Sequence, residues 1–266
     1  MKNIPLDLQD EKFKGMQANY HTHTKRCMHA VGEDREYVES AIEAGFNILG
    51  FSDHTPQVFK GSYVSGMRMR ASGLEQYVDS VLNLRREYAS DITVMLGLET
   101  EYFPELFDGL LKLIEPYPFD YMIMGQHWLY RECGETVVTK ERTEEAFLKS
   151  YVEQVIEGMR TGYFTYLAHP DVINFTGDKT IYRKYMKRLA AELKTLGIPL
   201  EINGLGYREN RFYPNPCFWE IVSELGNDCV IGIDAHSPGA LLNAECRNGC
   251  LGFAEKYGLN VLNIHH

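Results

Sequence analysis

Short apolar, β-prone runs recur about seven times along this 266-residue chain, and amphipathic helical stretches lie between most of them. The strand candidates are 16–21, 48–52, 92–99, 121–125, 164–168, 199–202 and 229–233. From Asp34 to Ala44, Tyr37, Val38, Ala41 and Ile42 share one helical face, and Gly45 is placed to cap its C-terminus. From Lys179 to Leu196, Ile181, Tyr185, Leu189, Leu193 and Leu196 approximate an i, i+4 ladder that stops at Gly197. Segments 74–88 and 144–159 read the same way. Strand then helix, repeated, predicts a parallel α/β architecture. No Pro/Gly/Ser-rich linker divides the chain, so residues 1–266 are expected to form one domain. An open sheet would gather its site at one crevice, whereas a closed barrel would carry functional residues at the C-terminal ends of nearly all strands.

The histidines choose between these. Setting aside the chain-terminal His265 and His266, His21, His23, His54, His127, His169 and His236 all fall at or just past a strand candidate's end, and His29 lies in the loop after the first. One such histidine is ordinarily a hydrogen-bonded structural residue. Six aligned placements favour a barrel, whose strand ends converge on one mouth. Gathered imidazoles repel when protonated, whereas a transition metal holds them neutral. In Asn19-Tyr20-His21-Thr22-His23 the i, i+2 spacing points both imidazoles to one side of a strand, and Asp234 and His236 share that phase. Asp53, one residue from His54, points elsewhere and reads as a support for a ligand or a loop cap. Glu99 and Glu101 end the third strand, where burial without a cation is costly. Seven histidines with Glu99 and Asp234 make nine candidate ligands. That is too many for one metal and generous for two that keep open positions, so three with a bridging carboxylate fit best.

Charge sets the expected partner. With 27 Lys plus Arg against 37 Asp plus Glu, the net charge of −10 argues against non-specific nucleic-acid or membrane-surface binding. No apolar run reaches membrane-span length, and residues 1–15 lack a signal-peptide core, so a soluble cytoplasmic protein is expected. The six cysteines form no CxxC pair and are expected to be reduced, with Cys246 and Cys250 serving packing. A trinuclear mouth on an otherwise acidic protein attracts a phosphate dianion. Arg68, Arg70, Arg208 and Arg211 lie in strand-end loops and could clamp phosphate bidentately, with Trp128, Tyr63, Tyr207 and Phe212 as candidate pocket walls.

From His21-Thr22-His23-Thr24 to Asp234-Ala235-His236-Ser237, the chain resembles the polymerase-and-histidinol-phosphatase (PHP) family over nearly its whole length. The resemblance implies a distorted (β/α)7 TIM-like barrel with three divalent transition metals, Zn, Fe or Mn. His21, His23, Glu99 and Asp234 would hold the first metal. Glu99 would bridge to the second, with His127 and His169, and His29, His54 and His236 would hold the third. Arg68-Met69 before a helix, Gly97-Leu98-Glu99, and Glu201-Ile202-Asn203 followed by Arg208 and Tyr213-Pro214 resemble the members that stand alone as histidinol phosphatases. Asn19, Gln126 and Ile233 depart from the family's commoner Asp, Ser and Ser. The implied reaction is hydrolysis of a small phosphate monoester, L-histidinol phosphate, by a hydroxide bridging two metals, with Asp53 or a water protonating the leaving alkoxide. Rival substrates are a nucleotide, a sugar phosphate or phosphotyrosine. An amidohydrolase would more often carry a bridging lysine, and no strand end has one. An inactive metal-binding module would show eroded ligands, and all nine are present.

Overall fold

The computed structural model describes residues 16–132 and 135–262. Parallel pairing joins β1 (Ala18–Asn19), β2 (Ile48–Phe51), β3 (Thr93–Thr100) and β4 (Tyr121–Met124) in that order, and β5 (Leu200–Asn203), β6 (Asp228–Gly232) and β7 (Asn260–Val261) in a second run. Segment 164–168, expected as a full strand, spans the gap between the two runs. It pairs only through single bridges from Leu167 to Met124 and Leu200. Its backbone still bonds to both sides, since Met124 N donates to Tyr166 O at 3.1 Å and Glu201 N to Leu167 O at 3.0 Å. The opposite seam closes above β1 and β6, where His23 N donates to Ala235 O at 2.9 Å and Ala235 N to His21 O at 3.1 Å. Lower on that seam, the Asn19 side chain replaces a strand partner by accepting from Ile233 N at 2.8 Å. The sheet therefore curls into a distorted α/β barrel.

β1 is shorter than the expected 16–21, because past Asn19 the chain meets a side chain, Ser52 Oγ accepting from Thr22 N, and pairs through an isolated bridge from Thr22 to Ala235. β7 was not among the strand candidates. Its two residues pair only with the first two of β6, too short a segment to show a period.

The helices follow from their termini and faces. α1 (Asp34–Glu43) opens with a capping box between Glu33 and Glu36. α2 (Leu74–Glu87), α3 (Phe107–Ile114) and α4 (Glu145–Arg160) turn apolar faces to the sheet. α5 (Lys179–Leu196) starts at Asp178, whose carboxylate accepts from the Thr180 and Ile181 amides, and ends at left-handed Gly197 with φ 68°. α6 (Gly204–Arg208), α7 (Pro216–Leu225), α8 (Pro238–Leu242) and α9 (Ala244–Tyr257) complete the chain. No helix among the described residues is long and apolar enough to cross a membrane.

One core lies between helices and sheet, and a smaller one of Tyr20, Ile48, Met95, Tyr121, Ile123, Tyr166, Ala168 and Val230 fills the barrel below the mouth. The Tyr121 hydroxyl reaches the Tyr20 carbonyl at 2.8 Å and the Phe51 carbonyl at 3.0 Å, which plugs the interior with a satisfied polar tip. Cys27, Cys217, Cys229, Cys246 and Cys250 are free thiols, while Cys133, His265 and His266 lie outside the described residues.

Candidate metal centre

Above the interior plug, side chains from around the barrel converge on the Glu99 carboxylate. Its Oε2 lies 3.7 Å from His21 Nε2, 3.4 Å from His23 Nε2 and 3.0 Å from His54 Nδ1. Its Oε1 lies 2.9 Å from His169 Nε2 and 3.8 Å from His127 Nε2. One carboxylate thus faces two sets of imidazoles with its two oxygens. Asp234 Oδ1 is 3.1 Å from His23 Nε2 and 3.5 Å from His21 Nε2. The His236 ring stacks on His23 at 4.2 Å between centroids and sits 4.8 Å from His29, whose ring is 5.4 Å from His54. The donor atoms fall into overlapping triads within 4.8 Å, among them His21–His23–Asp234, His21–Glu99–His169 and His29–His54–His236.

Orphaned atoms test whether cations fit. His23 Nδ1, His54 Nδ1, His169 Nδ1, Glu99 Oε2 and Asp234 Oδ1 are buried and make no hydrogen bond of proper geometry, although His54 Nδ1 and Glu99 Oε2 lie 3.0 Å apart. Each such atom costs about 1–3 kcal/mol, more when charged. Several in one cluster are tolerable where cations satisfy them, so the donor set is compatible with multiple metal sites.

Electrostatics divide the imidazoles. Against burial, carboxylates led by Glu201 hold His21 well above its usual value, those led by Asp234 do so for His23, and Glu99 raises His127, whereas other groups shift toward the forms a cation needs. Burial alone would raise the Glu99 carboxyl, but His54, His127 and His21 outweigh it and hold it well below the usual range. His21, and then a hydrogen bond from His23, do the same for Asp234. Burial pushes His54 down to about 4, and burial together with neighbouring His23 pushes His236 down to about 2. Those two imidazoles are neutral near pH 7, as a metal ligand must be.

Backbone geometry aims the ligands. His169 and Asp234, each just past a strand end, take φ values of 29° and 53°, a region that residues other than glycine seldom adopt and that clusters at functional sites. Gly125 and Gly232 make room for carboxylates, since a Cβ at Gly125 would fall on the Glu99 carboxylate and one at Gly232 on that of Glu201.

Glu201 was not foreseen in the site. Its Oε1 accepts from His21 Nδ1 at 2.7 Å and its Oε2 from His169 N and Asn203 Nδ2, both at 2.9 Å. A signal was present in Glu201 and Asn203, polar residues two apart at a strand end, the phase shown by Asp234 and His236. Glu101 plays the parallel part for His127, accepting from Nδ1 at 2.8 Å. Carboxylates behind imidazoles fix the tautomer and leave the other nitrogen free to ligate.

Several expected site residues sit elsewhere. Asp53 is fully buried behind His23 and His54, where it accepts from Thr24 Oγ1 and, at 2.8 Å, from His54 N. It does not line the cavity at the mouth, so its geometry suits holding the loop rather than protonating a leaving group. Arg68, expected as a phosphate clamp, is 2% exposed and forked between Glu101 and Glu132, each 2.6 Å away. Arg70 is exposed and does not line the cavity either. Arg208, Arg211 and Trp128 do line it. Arg208 Nη1 donates to Ile233 O at 3.0 Å, and Arg211 pairs with Glu209 and donates to the Tyr213 hydroxyl at 3.0 Å. The cavity holds about 580 Å³, with Met67, Trp128, Leu205 and Tyr213 on its apolar walls. Tyr63, Tyr207 and Phe212 stay exposed outside it.

A distorted parallel barrel with imidazoles and carboxylates gathered at its C-terminal mouth defines a metal-binding α/β-barrel protein. Residues 19–204 match the PHP domain, and the chain belongs to that family. A protein of Deinococcus radiodurans named "Probable histidinol-phosphatase" is 29% identical over 225 residues, covering 82% of this chain and 86% of the relative. One of the same name from Schizosaccharomyces pombe is 24% identical over 253 residues, covering 84% and 81%. The fold is also that of histidinol phosphate phosphatase from Lactococcus lactis, solved with zinc, L-histidinol and phosphate. The TM-score is 0.70 at 20% identity, covering 92% of this chain and 95% of that one.

Proposed function

We propose that this chain hydrolyses L-histidinol phosphate to L-histidinol and phosphate. The observation that carries the reading is the Glu99-centred cluster opening into a cavity that Arg208, Arg211 and Glu209 line. His21, His23, Glu99 and Asp234 would hold one metal, Glu99, His127 and His169 a second, and His29, His54 and His236 a third. The His21–His23–Asp234 and His29–His54–His236 triads support the first and third, and the approach of His169 and His127 to Glu99 Oε1 supports the second. Divalent metals held there supply Lewis-acid neutralisation of the phosphate and bring the ionisation of water toward neutral pH.

The chain's own groups supply position. Glu201 and Glu101 set the tautomers of His21 and His127. The guanidinium of Arg208, tethered to the Ile233 carbonyl beside ligand Asp234, is placed to bind phosphate oxygens. Glu209 is the lining carboxylate outside the imidazole cluster and suits a cationic amine or imidazole on the leaving group. A volume of about 580 Å³ suits a small monoester. The names of the two curated relatives support the substrate.

The test is steady-state kinetics on L-histidinol phosphate beside nucleotide, sugar and tyrosine phosphates, with metal content measured on the same sample. The expected result is a kcat/KM for L-histidinol phosphate at least tenfold above the others and two to three metals per chain. A preference for another ester would keep the reaction and replace the substrate. At most one metal, with no activity gained on adding Mn or Zn, would overturn the trinuclear reading.

A further inference from the structure

Between β2 and the 3-10 helix Ala71–Gly73 the chain forms no regular helix or strand, yet it is fastened at both ends to buried charge. Near its start, Gln57 Nε2 donates to Glu101 O at 3.1 Å, and Arg68 Nη1 lies 3.3 Å from Thr55 O. At its far end, Arg68 sits between two carboxylates. Its Nη1 is 2.6 Å from Glu101 Oε2, and its Nε and Nη2 are each 2.6 Å from Glu132 Oε2. Glu132 Oε1 in turn accepts from Ser65 Oγ at 2.5 Å and Tyr63 OH at 2.9 Å. Phe59 and Trp128 lie against the Arg68 guanidinium at 5.9 and 5.8 Å.

The triad of Glu101, Arg68 and Glu132 is buried and carries one surplus negative charge. Such a charge is tolerated only with a further donor. His127 Nδ1 supplies it, 2.8 Å from Glu101 Oε1. An unbroken path of short polar contacts therefore runs from a candidate metal ligand to Ser65 and Tyr63. Met67 of the same segment lines the cavity.

We infer that Arg68 is a positioning residue that fastens segment 55–68 to the metal ligand His127 through Glu101, so that metal binding at His127 and docking of that cavity wall are thermodynamically coupled. The inference rests on the metal-centre reading above. Coupling of this kind is reciprocal, since whatever tightens one side tightens the other by the same factor. Arginine suits the site because its rigid planar fork reaches Glu101 through Nη1 and Glu132 through Nε and Nη2, an arrangement that the single nitrogen of a lysine does not reproduce.

The test uses full-length protein loaded with zinc, and the same protein after chelation. Hydrogen exchange is read over residues 55–68, and zinc affinity by competition with a chromogenic chelator. In the parent, chelation should speed exchange in that segment several-fold. In Glu132→Gln, which keeps the volume and avoids the harsher loss of Arg68, the segment should exchange faster even with zinc, and one bound zinc should lose about tenfold in affinity. Arg68→Lys should resemble Glu132→Gln rather than the parent. The coupling is overturned if Glu132→Gln loosens the segment while zinc affinity stays at the parent value, or if chelation leaves the parent's exchange unchanged. A parent that binds no zinc would instead overturn the metal-centre reading, and the coupling with it.

Discussion

Arg208 donates to the carbonyl of Ile233, and its second terminal nitrogen lies 3.4 Å from the carbonyl of Asp234, so the guanidinium is anchored beside a candidate ligand without being one. Removing it should therefore weaken phosphate binding and leave metal content unchanged. Arg208→Ala is expected to lower kcat/KM by roughly 10²-fold, about 2.7 kcal/mol of transition-state stabilisation. Arg208→Lys should recover little, because a lysine cannot bind two oxygens in a fixed fork. Parent-like turnover in the alanine variant would move the phosphate contact to Arg211. Gly125 lies against the Glu99 carboxylate. A methyl group there would displace the Glu99 carboxylate, so Gly125→Ala should reduce bound metal per chain and lower kcat by at least tenfold. Elemental analysis and turnover on one sample check both numbers. The residues that converge on Glu99 were readable as candidates in the sequence because strand-end phase is a local property. The fate of Arg68 was not, since a loop arginine shows its partners only once Glu101 and Glu132 are brought beside it.

Asp171 ties two elements together. It follows segment 164–168 and its Oδ2 accepts from the backbone of Asn215, the N-cap of α7, at 2.5 Å and from Trp219 Nε1 at 3.0 Å. Burial pushes its carboxyl up to about 7. The folded state therefore holds a proton that the unfolded chain releases near its ordinary value of about 3.9, and parent stability falls as pH rises from about 4 to about 7. Asp171→Asn keeps an oxygen acceptor for both donors and does not titrate. Its stability relative to the parent should rise across that window, by on the order of a few kcal/mol, and level off above it. Urea unfolding of both proteins at pH 5 and pH 8 measures the double difference, and a difference that does not change with pH would defeat the assignment. The main helices were legible from periodicity and caps, as α5 and its Gly197 terminus show. Segment 164–168 was legible as extended but not as a poor ladder, because bridging depends on how closely β4 and β5 approach it.

Across the whole molecule, the candidate ligands come from the ends of β1, β2, β3, β4, segment 164–168 and β6, so metals held by them would cross-link those ends. Metals bound there favour only the closed barrel, because the unfolded chain cannot present the set together. Chelation should therefore lower Tm by about 5–10 °C, taking about 2.7 kcal/mol for ligand at a hundred times Kd and 2–4 °C per kcal/mol at this chain length. Re-addition of Zn or Mn should restore it in a scanning unfolding experiment. An unchanged Tm would mean that the barrel closes on its own packing and on the seam between Thr22 and Ala235.

Taken by itself, the sequence determined the α/β alternation, the single-domain expectation and the nine candidate ligands. Residue phase and helix periodicity are short-range and survive without a partner. Tertiary structure alone decided that Glu201 supports two candidate ligands, that Asp53 and Arg68 lie behind the site, and that β7 adds to β6. Those outcomes depend on which buried carboxylate meets which cation, hydroxyl or imidazole, and the partners come from positions such as 21 and 201, or 68 and 132, that only the closed barrel brings within hydrogen-bond distance.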